Sequence, residues 1–515
     1  MKDTSYASSR GNSRRRHTAL DYFGVITMIV LLAVSAVLYF RLNASGLLDR
    51  RYLNLILIGL IVLNGLHALV QLPLYRRKTA KLIVGIIALG LSAFMIWFTA
   101  HMGYALGKAG EVFGKQLVET RQIYVVVRAE DPAQELGDTV GYTYGYVKGW
   151  YAEDTASLLH QLEEQLGVTD PGEYDNPSSL LEALYHSETD AILLTDGAME
   201  ALEKMDEHED VGERTRIIYT FTVTHKVDIA LGGTEMSEPF VIYCNGIDSR
   251  SNDINASGNS DVNILAVVNP QTREILLLNT PRDYYVALHM NGEMDKLTHA
   301  GNYGIEESIG TLEDLYGVEI PYYIRINFFG TVDVVDAIGG VDVESPKEFT
   351  TVRMKVPGPD GKLEKKTFTF PEGKIHLNGQ EALAFSRERK AFATGDNQRG
   401  VNQMTVIHAI IDKITSPDLL KNYQQVLDSL PNAVLTNITF DQVKYMVRAQ
   451  QKDSTKWNVT SYAVTGSGDM DYCYSWSGMK LYVTRQDPVS VETAKTLIAQ
   501  VLNGERPVLP GSDSK

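Results

Sequence analysis

Asp248 follows an apolar run that ends Asn245-Gly246-Ile247, and Asp261 opens the next run in Asn259-Ser260-Asp261-Val262-Asn263. Two carboxylates at adjacent strand ends can share a hard cation, and oxygen ligands with open water positions suit Mg²⁺ or Mn²⁺. They can equally be plain turn aspartates, because Asp is a favoured turn residue. The arginines weigh against that plainer reading. Arg282 comes directly after an apolar run in Leu278-Asn279-Thr280-Pro281-Arg282-Asp283. Arg387 and Arg389 lie in Ala384-Phe385-Ser386-Arg387-Glu388-Arg389, where a strand period of two puts both guanidiniums on one face and Glu388 on the other. Arg399 precedes an expected helix that carries Gln403. Guanidinium forks stay charged and match phosphate oxygens in pairs, so several converging on one pocket point to an anionic ligand, most naturally a pyrophosphate. A surface ladder of ion pairs would explain Arg399 with Asp396, but explains an Arg-x-Arg strand beside the apolar Ala382 to Phe385 run less well. Lys296 either neutralises the same phosphate or stands solvated. His299 reads as a structural hydrogen-bonding residue rather than a base.

The elements that must position these residues form a large α/β unit from about Phe240 to Leu502. Strands are expected at Phe240 to Asn245, Val262 to Val268, Glu274 to Asn279 and Tyr322 to Ile326. Helices are expected near Ile305 to Leu315, Phe328 to Ile338, Gly400 to Ile414 and Val489 to Leu502. Between about 120 and 228 a smaller α/β alternation appears. Its strands are Ile123 to Val127, Val140 to Tyr144, Ala191 to Leu194 and Ile217 to Val223, and its helices run near Thr155 to Leu166, Ser178 to His186 and Gly197 to Met205. This stretch resembles, without any ligand signature, one lobe of the extracellular amino-acid-binding receptors; an accessory domain that is structural or binds envelope-assembly proteins is the favoured reading.

Ahead of both lie three apolar segments. Tyr22 to Phe40 is uncharged over 19 residues, or about 28 Å of helix, close to a bilayer core, and it is too long for the apolar part of a signal peptide. Tyr52 to Tyr75 and Leu82 to about Leu106 follow the same pattern. The tail and second loop carry nine basic residues (Lys2, Arg10, Arg14, Arg15, Arg16, Arg76, Arg77, Lys78, Lys81), and the first loop has only Arg41, Arg50 and Arg51. That asymmetry predicts a multi-pass membrane protein with its N-terminus cytoplasmic and everything after about residue 107 extracellular. Asn54, Asn64, His67 and Gln71 give the second span polarity that reads as hydrogen bonding between helices rather than as a proton or ion path. The organisation expected is a basic tail (1–20), three spans (21–107), an accessory α/β domain (112–235), a catalytic α/β domain with a mixed central sheet (236–505) and a disordered tail (506–515).

Composition narrows the functions. Across 515 residues, 48 basic against 64 acidic residues leave a net charge of −16, which disfavours nucleic acid as a partner. Two cysteines exclude a disulfide-rich scaffold and a four-thiolate metal site. A bridge between Cys244 and Cys473 stays open.

At its chemistry-bearing residues the chain resembles the LytR-CpsA-Psr family of cell-wall ligases. The resemblance rests on Gly246-Ile247-Asp248-Ser249-Arg250, Ser260-Asp261, Thr280-Pro281-Arg282-Asp283, Lys296-Leu297-Thr298-His299-Ala300, Gly339-Gly340-Val341, Leu377-Asn378-Gly379 and Ser386-Arg387-Glu388-Arg389, followed by Gly395-Asp396 to Gln403. It covers about 236 to 505, and the three-helix anchor with an accessory domain is similar to the capsule-attaching branch. The resemblance implies that Asp248 and Asp261 hold Mg²⁺ or Mn²⁺, and that Arg282, Arg387, Arg389, Arg399 and Gln403, with Lys296, hold the diphosphate of a polyprenyl-linked glycan (capsule, teichoic acid or similar). It also implies a hydrophobic tunnel for the lipid. Two positions depart from the family pattern, Asn259 and Asn402, where arginine is usual.

The expected reaction transfers the glycan as a glycosyl phosphate to a peptidoglycan hydroxyl and releases polyprenyl phosphate. Arg282, Arg387 and Arg389 stabilise the charge, and Asp283 or Asp396 takes the acceptor's proton. The rival reading is a non-catalytic sensor of lipid phosphate that keeps the pocket and does no chemistry. Membrane lipid is a partner in either case.

Overall fold

The structure is a computed structural model that describes residues 19–511 except 73–76, 114–117, 150, 204, 206, 209, 228–235, 248–252, 359–361, 394, 415–427, 432 and 454; the side chains of Glu200 and Asp396 are also outside the description. Asp248 therefore lies outside the described residues. The chain divides into two units, residues 1–107 with 444–454, and 108–443 with 455–515.

In the first unit, helices α1 (Ala19–Ser45), α2 (Arg50–Gln71) and α3 (Lys78–Val112) are long and apolar enough to cross a membrane. Leu38, Leu42, Leu53, Leu60 and Met95 pack between them, while Ile26, Ile29, Leu32, Leu55 and Ile83 face outward. Three of the four expected polar side chains join the helices, while Asn54 is exposed: Asn64 Nδ2 donates to Ser35 Oγ at 3.0 Å, His67 Nε2 meets Thr27 Oγ1 at 3.1 Å, and Gln71 Nε2 donates to the Lys81 carbonyl at 2.9 Å. Such bonds hold helices together where the hydrophobic effect cannot.

The two largest sheets of the second unit have five and six strands. Strands β1 (Val118–Arg128), β2 (Tyr144–Val147), β3 (Gly172–Tyr174), β4 (Ala191–Thr195) and β5 (Thr215–Lys226) form one in the order β3-β2-β4-β1-β5. Helices α4 (Ala152–Leu166), α5 (Pro177–Tyr185), α6 (Asp196–Glu203) and α7 (Val211–Arg214) connect its strands. The strand expected at Val140 to Tyr144 starts instead at Tyr144. Residues 136–139 form a 3₁₀ turn closed by a capping box between Glu135 and Asp138, and Gly141 follows at φ +85°, a conformation that stops a strand from starting there.

The larger sheet is mixed, which suits its α/β connections. Its strands are β6 (Phe240–Ile247), β7 (Ser260–Asn269), β8 (Glu274–Asn279), β11 (Tyr322–Asn327), β12 (Val434–Thr436) and β13 (Asn458–Ala463), in the order β12-β11-β6-β7-β8-β13. Strand β6 runs parallel to β11 and antiparallel to β7, and β13 runs parallel to β8. Short strands β9 (Tyr285–Ala287) and β10 (Met294–Lys296) form a ribbon, and α8 (Leu297–Ala300) follows directly. Helices α9 (Ile305–Tyr316), α10 (Phe328–Ala337), α11 (Gly379–Arg387), α12 (Asp396–Ile414), α13 (Phe440–Lys452) and α14 (Pro488–Leu502) complete the set used below. One face of the sheet buries Val241, Leu265, Leu276 and Leu278 against Ile309 and Leu312 of α9 and Leu497, Ile498 and Val501 of α14.

A hairpin of β14 (Gly466–Cys473) and β15 (Trp476–Gln486) ties the two sheets together. Cys473, Trp476 and Val483, with Tyr285, are buried in the same apolar cluster as Tyr124, Val126, Leu180, Leu184 and Ile192 from the smaller sheet and its helices. Both cysteines are free thiols, Cys244 on β6 and Cys473 in this cluster.

Two expectations around the arginines are corrected. Residues 384–387 are helical, because Asn378 caps α11 through the Glu381 amide while Glu381 reaches back to the Asn378 amide. Helix α12 starts at Asp396, so Arg399 lies inside it rather than ahead of it.

Candidate functional site

The site is built where strands β7 and β8 of the larger sheet meet the end of the β9–β10 ribbon. Asp261 is the second residue of β7, Arg282 lies just after β8, and Lys296 ends β10. Backbone bonds fix that geometry, since Thr280 N donates to the Asn263 carbonyl at 2.9 Å and Thr298 N to the Arg282 carbonyl at 2.8 Å. The side chains form a chain of alternating charge. Arg282 Nη1 lies 2.6 Å from Asp261 Oδ1, Arg282 Nε lies 3.6 Å from Asp283 Oδ1, and Lys296 Nζ lies 3.3 Å from the same Asp283 oxygen. Thr298 Oγ1 approaches Asp261 Oδ1 at 3.5 Å.

Asp283 is buried, which opposes its ionisation, yet Arg282, Lys296 and Arg399 together hold its pKa down to about 2. Arg399 is thus electrostatically part of the cluster. It is buried in the first turn of α12, and Gln403 lies buried one turn further on.

The Arg387–Arg389 pair is arranged differently. Arg387 ends α11, where its Nη1 donates to the Lys355 carbonyl at 2.8 Å and its guanidinium lies 3.8 Å from the Phe328 ring centroid. Glu388 points inward and accepts the amides of Val352 and Ala391, each at 2.9 Å, while Arg389 is exposed. Of the arginines expected to converge, the structure therefore brings Arg282 and Arg399 to the Asp283 cluster, places Arg387 on Phe328, and leaves Arg389 at the surface. The Asp396 backbone starts α12, and its side chain lies outside the described residues.

Beside the cluster lies polar scaffolding in which His299 is structural, as expected, and whose other members sequence reasoning missed. Buried Asp295 is hydrogen-bonded to His299 Nδ1 at 2.6 Å and accepts from the Ser475 amide at 2.8 Å, fixing the strand that ends in Lys296. The i, i+4 spacing of Asp295 and His299 was the available signal. Asn245 Nδ2 donates to Ser260 Oγ at 2.9 Å, next to Asp261, and Asn245 Oδ1 accepts from Arg325 Nε at 3.1 Å. Arg325 in turn lies 2.5 Å from Glu119 on β1. The two departures from the family pattern have structural uses. Asn259 Oδ1 accepts from Asn302 Nδ2 at 2.9 Å, and Asn402 Nδ2 donates to the Phe385 carbonyl at 3.1 Å, joining α12 to α11.

Asp261 offers a divalent cation hard oxygen ligation beside a phosphate-sized cluster of cations, the donor chemistry that Mg²⁺ accepts. Among the described residues no group of three His, Cys, Asp or Glu side chains forms a metal cage.

The family model described as the LytR_cpsA_psr family matches residues 198–491, starting well before the 236 expected from motifs. The chain is 36% identical over 233 residues to "Polyisoprenyl-teichoic acid--peptidoglycan teichoic acid transferase TagU" of Bacillus anthracis, covering 45% of this chain and 71% of that protein. It is 33% identical over 208 residues to the protein of the same name from Enterococcus faecalis, covering 40% of this chain and 64% of that one. Among solved structures it is similar to B. subtilis TagV, at 25% identity and a TM-score of 0.42 over 53% of this chain and 99% of that one. With its family model spanning more than half the chain, this protein belongs to the LytR-CpsA-Psr family.

Proposed function

We propose that the protein transfers a polyprenyl-diphosphate-linked wall glycan, of teichoic acid or capsule type, as a glycosyl phosphate onto peptidoglycan. The observation that carries this reading is the cluster of Arg282, Lys296 and Arg399 around buried Asp283 at the ends of the larger sheet. The relatives' names, teichoic acid transferases that use a polyisoprenyl carrier and peptidoglycan, support it.

In the reaction a peptidoglycan hydroxyl attacks the phosphorus that carries the glycan. A new P–O bond forms, the P–O bond to the second phosphate breaks, and polyprenyl phosphate leaves with the electron pair. Arg282 and Arg399 bind the diphosphate oxygens and stabilise the charge that builds on them, with Lys296 beside them and Gln403 as a neutral donor. Asp283 serves this set by holding Arg282 and Lys296 in place. A carboxylate with a pKa near 2 is a weak base, so the acceptor's proton falls to another group, with Asp396 as the candidate. Asp261, with Asp248, would hold a divalent cation that adds positive charge at the leaving phosphate.

The three helices anchor the protein in a membrane, and the nine-to-three basic asymmetry supports an N-terminus in the cytoplasm with the second unit outside. The test is to incubate the purified full-length protein with a lipid-diphosphate glycan, peptidoglycan oligomers and Mg²⁺. A covalent glycan–peptidoglycan conjugate and free polyprenyl phosphate are expected. Binding of the lipid without any conjugate, from metal-saturated protein and several wall donors, would replace catalysis with the sensor reading.

A further inference from the structure

Helix α13, Phe-Asp-Gln-Val-Lys-Tyr-Met-Val-Arg-Ala-Gln-Gln-Lys, follows the edge strand β12 but contains no buried residue. Phe440 stacks on the Phe113 ring at 6.2 Å between centroids, while Val443 and Met446 are only half-buried, so the two-sidedness of the helix exceeds what its own packing uses. At 100° per residue, Phe440, Val443, Met446 and Val447 fall on one side. Lys444, Arg448 and Lys452, spaced four apart, fall on the other, where Asp441 is the one acidic residue. Val447, on the apolar side, is 38% exposed.

The second observation says where this helix lies. Its residues from Lys444 onward belong to the unit of the three membrane helices. Gln451 Oε1 accepts from the Asp49 amide at 3.1 Å, Gln451 Nε2 donates to the Leu47 carbonyl at 3.2 Å, and Arg51 Nη2 donates to the carbonyls of Gln451 at 3.4 Å and Lys452 at 3.3 Å. Residues 46–49 are the turn between α1 and α2. A turn joining two membrane-crossing helices lies at a membrane–water boundary, because its backbone groups need water or protein partners that hydrocarbon does not supply. The end of α13 is bonded to that turn, so it lies at the same boundary.

We propose that α13 is an interfacial helix. Its Val443, Met446 and Val447 stripe enters the zone between headgroups and acyl chains, and Lys444, Arg448 and Lys452 meet anionic lipid headgroups. An amphipathic helix with a basic polar face partitions to this depth, and each cation near an anionic surface adds to its attraction. Under the proposed orientation this is the external leaflet, from which a polyprenyl-linked donor would have to be drawn. The inference stands on the membrane anchor and not on the transfer chemistry.

The experiment places p-benzoylphenylalanine at Val447 in the full-length protein, and in a control protein at Tyr482, an exposed position on β15. Both are reconstituted in vesicles of phosphatidylcholine alone or with phosphatidylglycerol added, irradiated, and read by mass spectrometry. The expected result is a phospholipid adduct at 447 and none at 482, with yield at 447 rising several-fold when phosphatidylglycerol is present. The triple variant Lys444→Gln/Arg448→Gln/Lys452→Gln should abolish that rise. Cross-linking of position 447 to protein only, equal lipid adducts at both positions, or a yield indifferent to lipid charge would each overturn the proposal. A transferase-negative protein that still gave the charge-dependent adduct would leave it standing and count against the enzymatic reading alone.

Discussion

Replacing Glu119 by Ala should destabilise the second unit more than any single change at the arginine cluster. Arg325 has 0% exposure and Glu119 3%, so the pair sits wholly out of water, with Arg325 Nη1 2.5 Å from Glu119 Oε1. Removing the carboxylate leaves a buried guanidinium with only Asn245 as its neutral acceptor, and breaking such a pair typically costs about 3–5 kcal/mol. The same oxygen accepts the Ile305 amide at 3.0 Å at the start of α9, and an orphaned buried donor adds about 1–3 kcal/mol. Against a total stability on the order of 5–15 kcal/mol, a loss near 5 kcal/mol leaves the protein marginal at growth temperature. Chemical unfolding of the full-length protein in detergent, followed by tyrosine and tryptophan fluorescence, measures it. The control is the double variant Glu119→Leu/Arg325→Met, which removes both charges and should recover most of the loss, because apolar replacement of a buried pair is typically neutral or stabilising. A cost below about 1 kcal/mol for Glu119→Ala, or a double variant no better than the single, would show that water reaches this pair and that the argument from burial is wrong.

The other predictions concern the site. Because the Asp283 pKa is depressed from 3.8 to about 2, its contribution is fully present above pH 4 and lost as pH falls towards 2. The difference amounts to about 2 kcal/mol. Acid unfolding of Asp283→Asn should therefore lack the part of the stability loss that the native protein shows between pH 4 and 2; an unchanged acid limb would count against the cluster. Arg282→Ala should lower the transfer rate by roughly 100- to 1,000-fold in the conjugate assay, as expected for a charged donor lost from the transition state. Arg389→Ala, an exposed position, should change stability by less than about 0.5 kcal/mol, whereas Arg387→Ala should cost about 1–2 kcal/mol through its Phe328 and Lys355 contacts, as read by thermal unfolding. Chelation with EDTA should stop conjugate formation and Mg²⁺ or Mn²⁺ should restore it; full activity after exhaustive chelation would remove the cation from the mechanism.

Much of this was legible in the chain before its fold was known. The three apolar spans, and the strands leading to Asp261 and Arg282, are dense local signals: unbroken apolar runs bounded by polar turns. Arg387 and Arg389 were misread for a physical reason. A short stretch such as Ala382 to Phe385 is apolar enough for either a strand or a helix, and the deciding feature lay outside it, in the Asn378 and Glu381 capping box. The helix of Arg399 was read as starting at Gly400, about one turn late, because helix starts are set by caps rather than by periodicity. The Glu119–Arg325 pair was illegible for a different reason. Both residue types are normally exposed, they lie on strands of different sheets, and nothing local in either neighbourhood announces the partner.

The shared apolar cluster also orders events during synthesis. The smaller sheet leaves the ribosome early, yet Trp476, Cys473 and Val483, which close its core, come last, and Asn176 waits for the Ser477 carbonyl 301 positions downstream. Contacts so distant in sequence form slowly, and an unfinished sheet exposes apolar surface and unpaired edges meanwhile. If the second unit crosses the membrane as proposed, the emerging sheet must be held by a chaperone on the far side, or stay loosely folded, until β14 and β15 arrive. A chain cut off before residue 466 would then expose the unclosed core of the smaller domain to proteases, so quality control of the whole protein rests on its last hairpin.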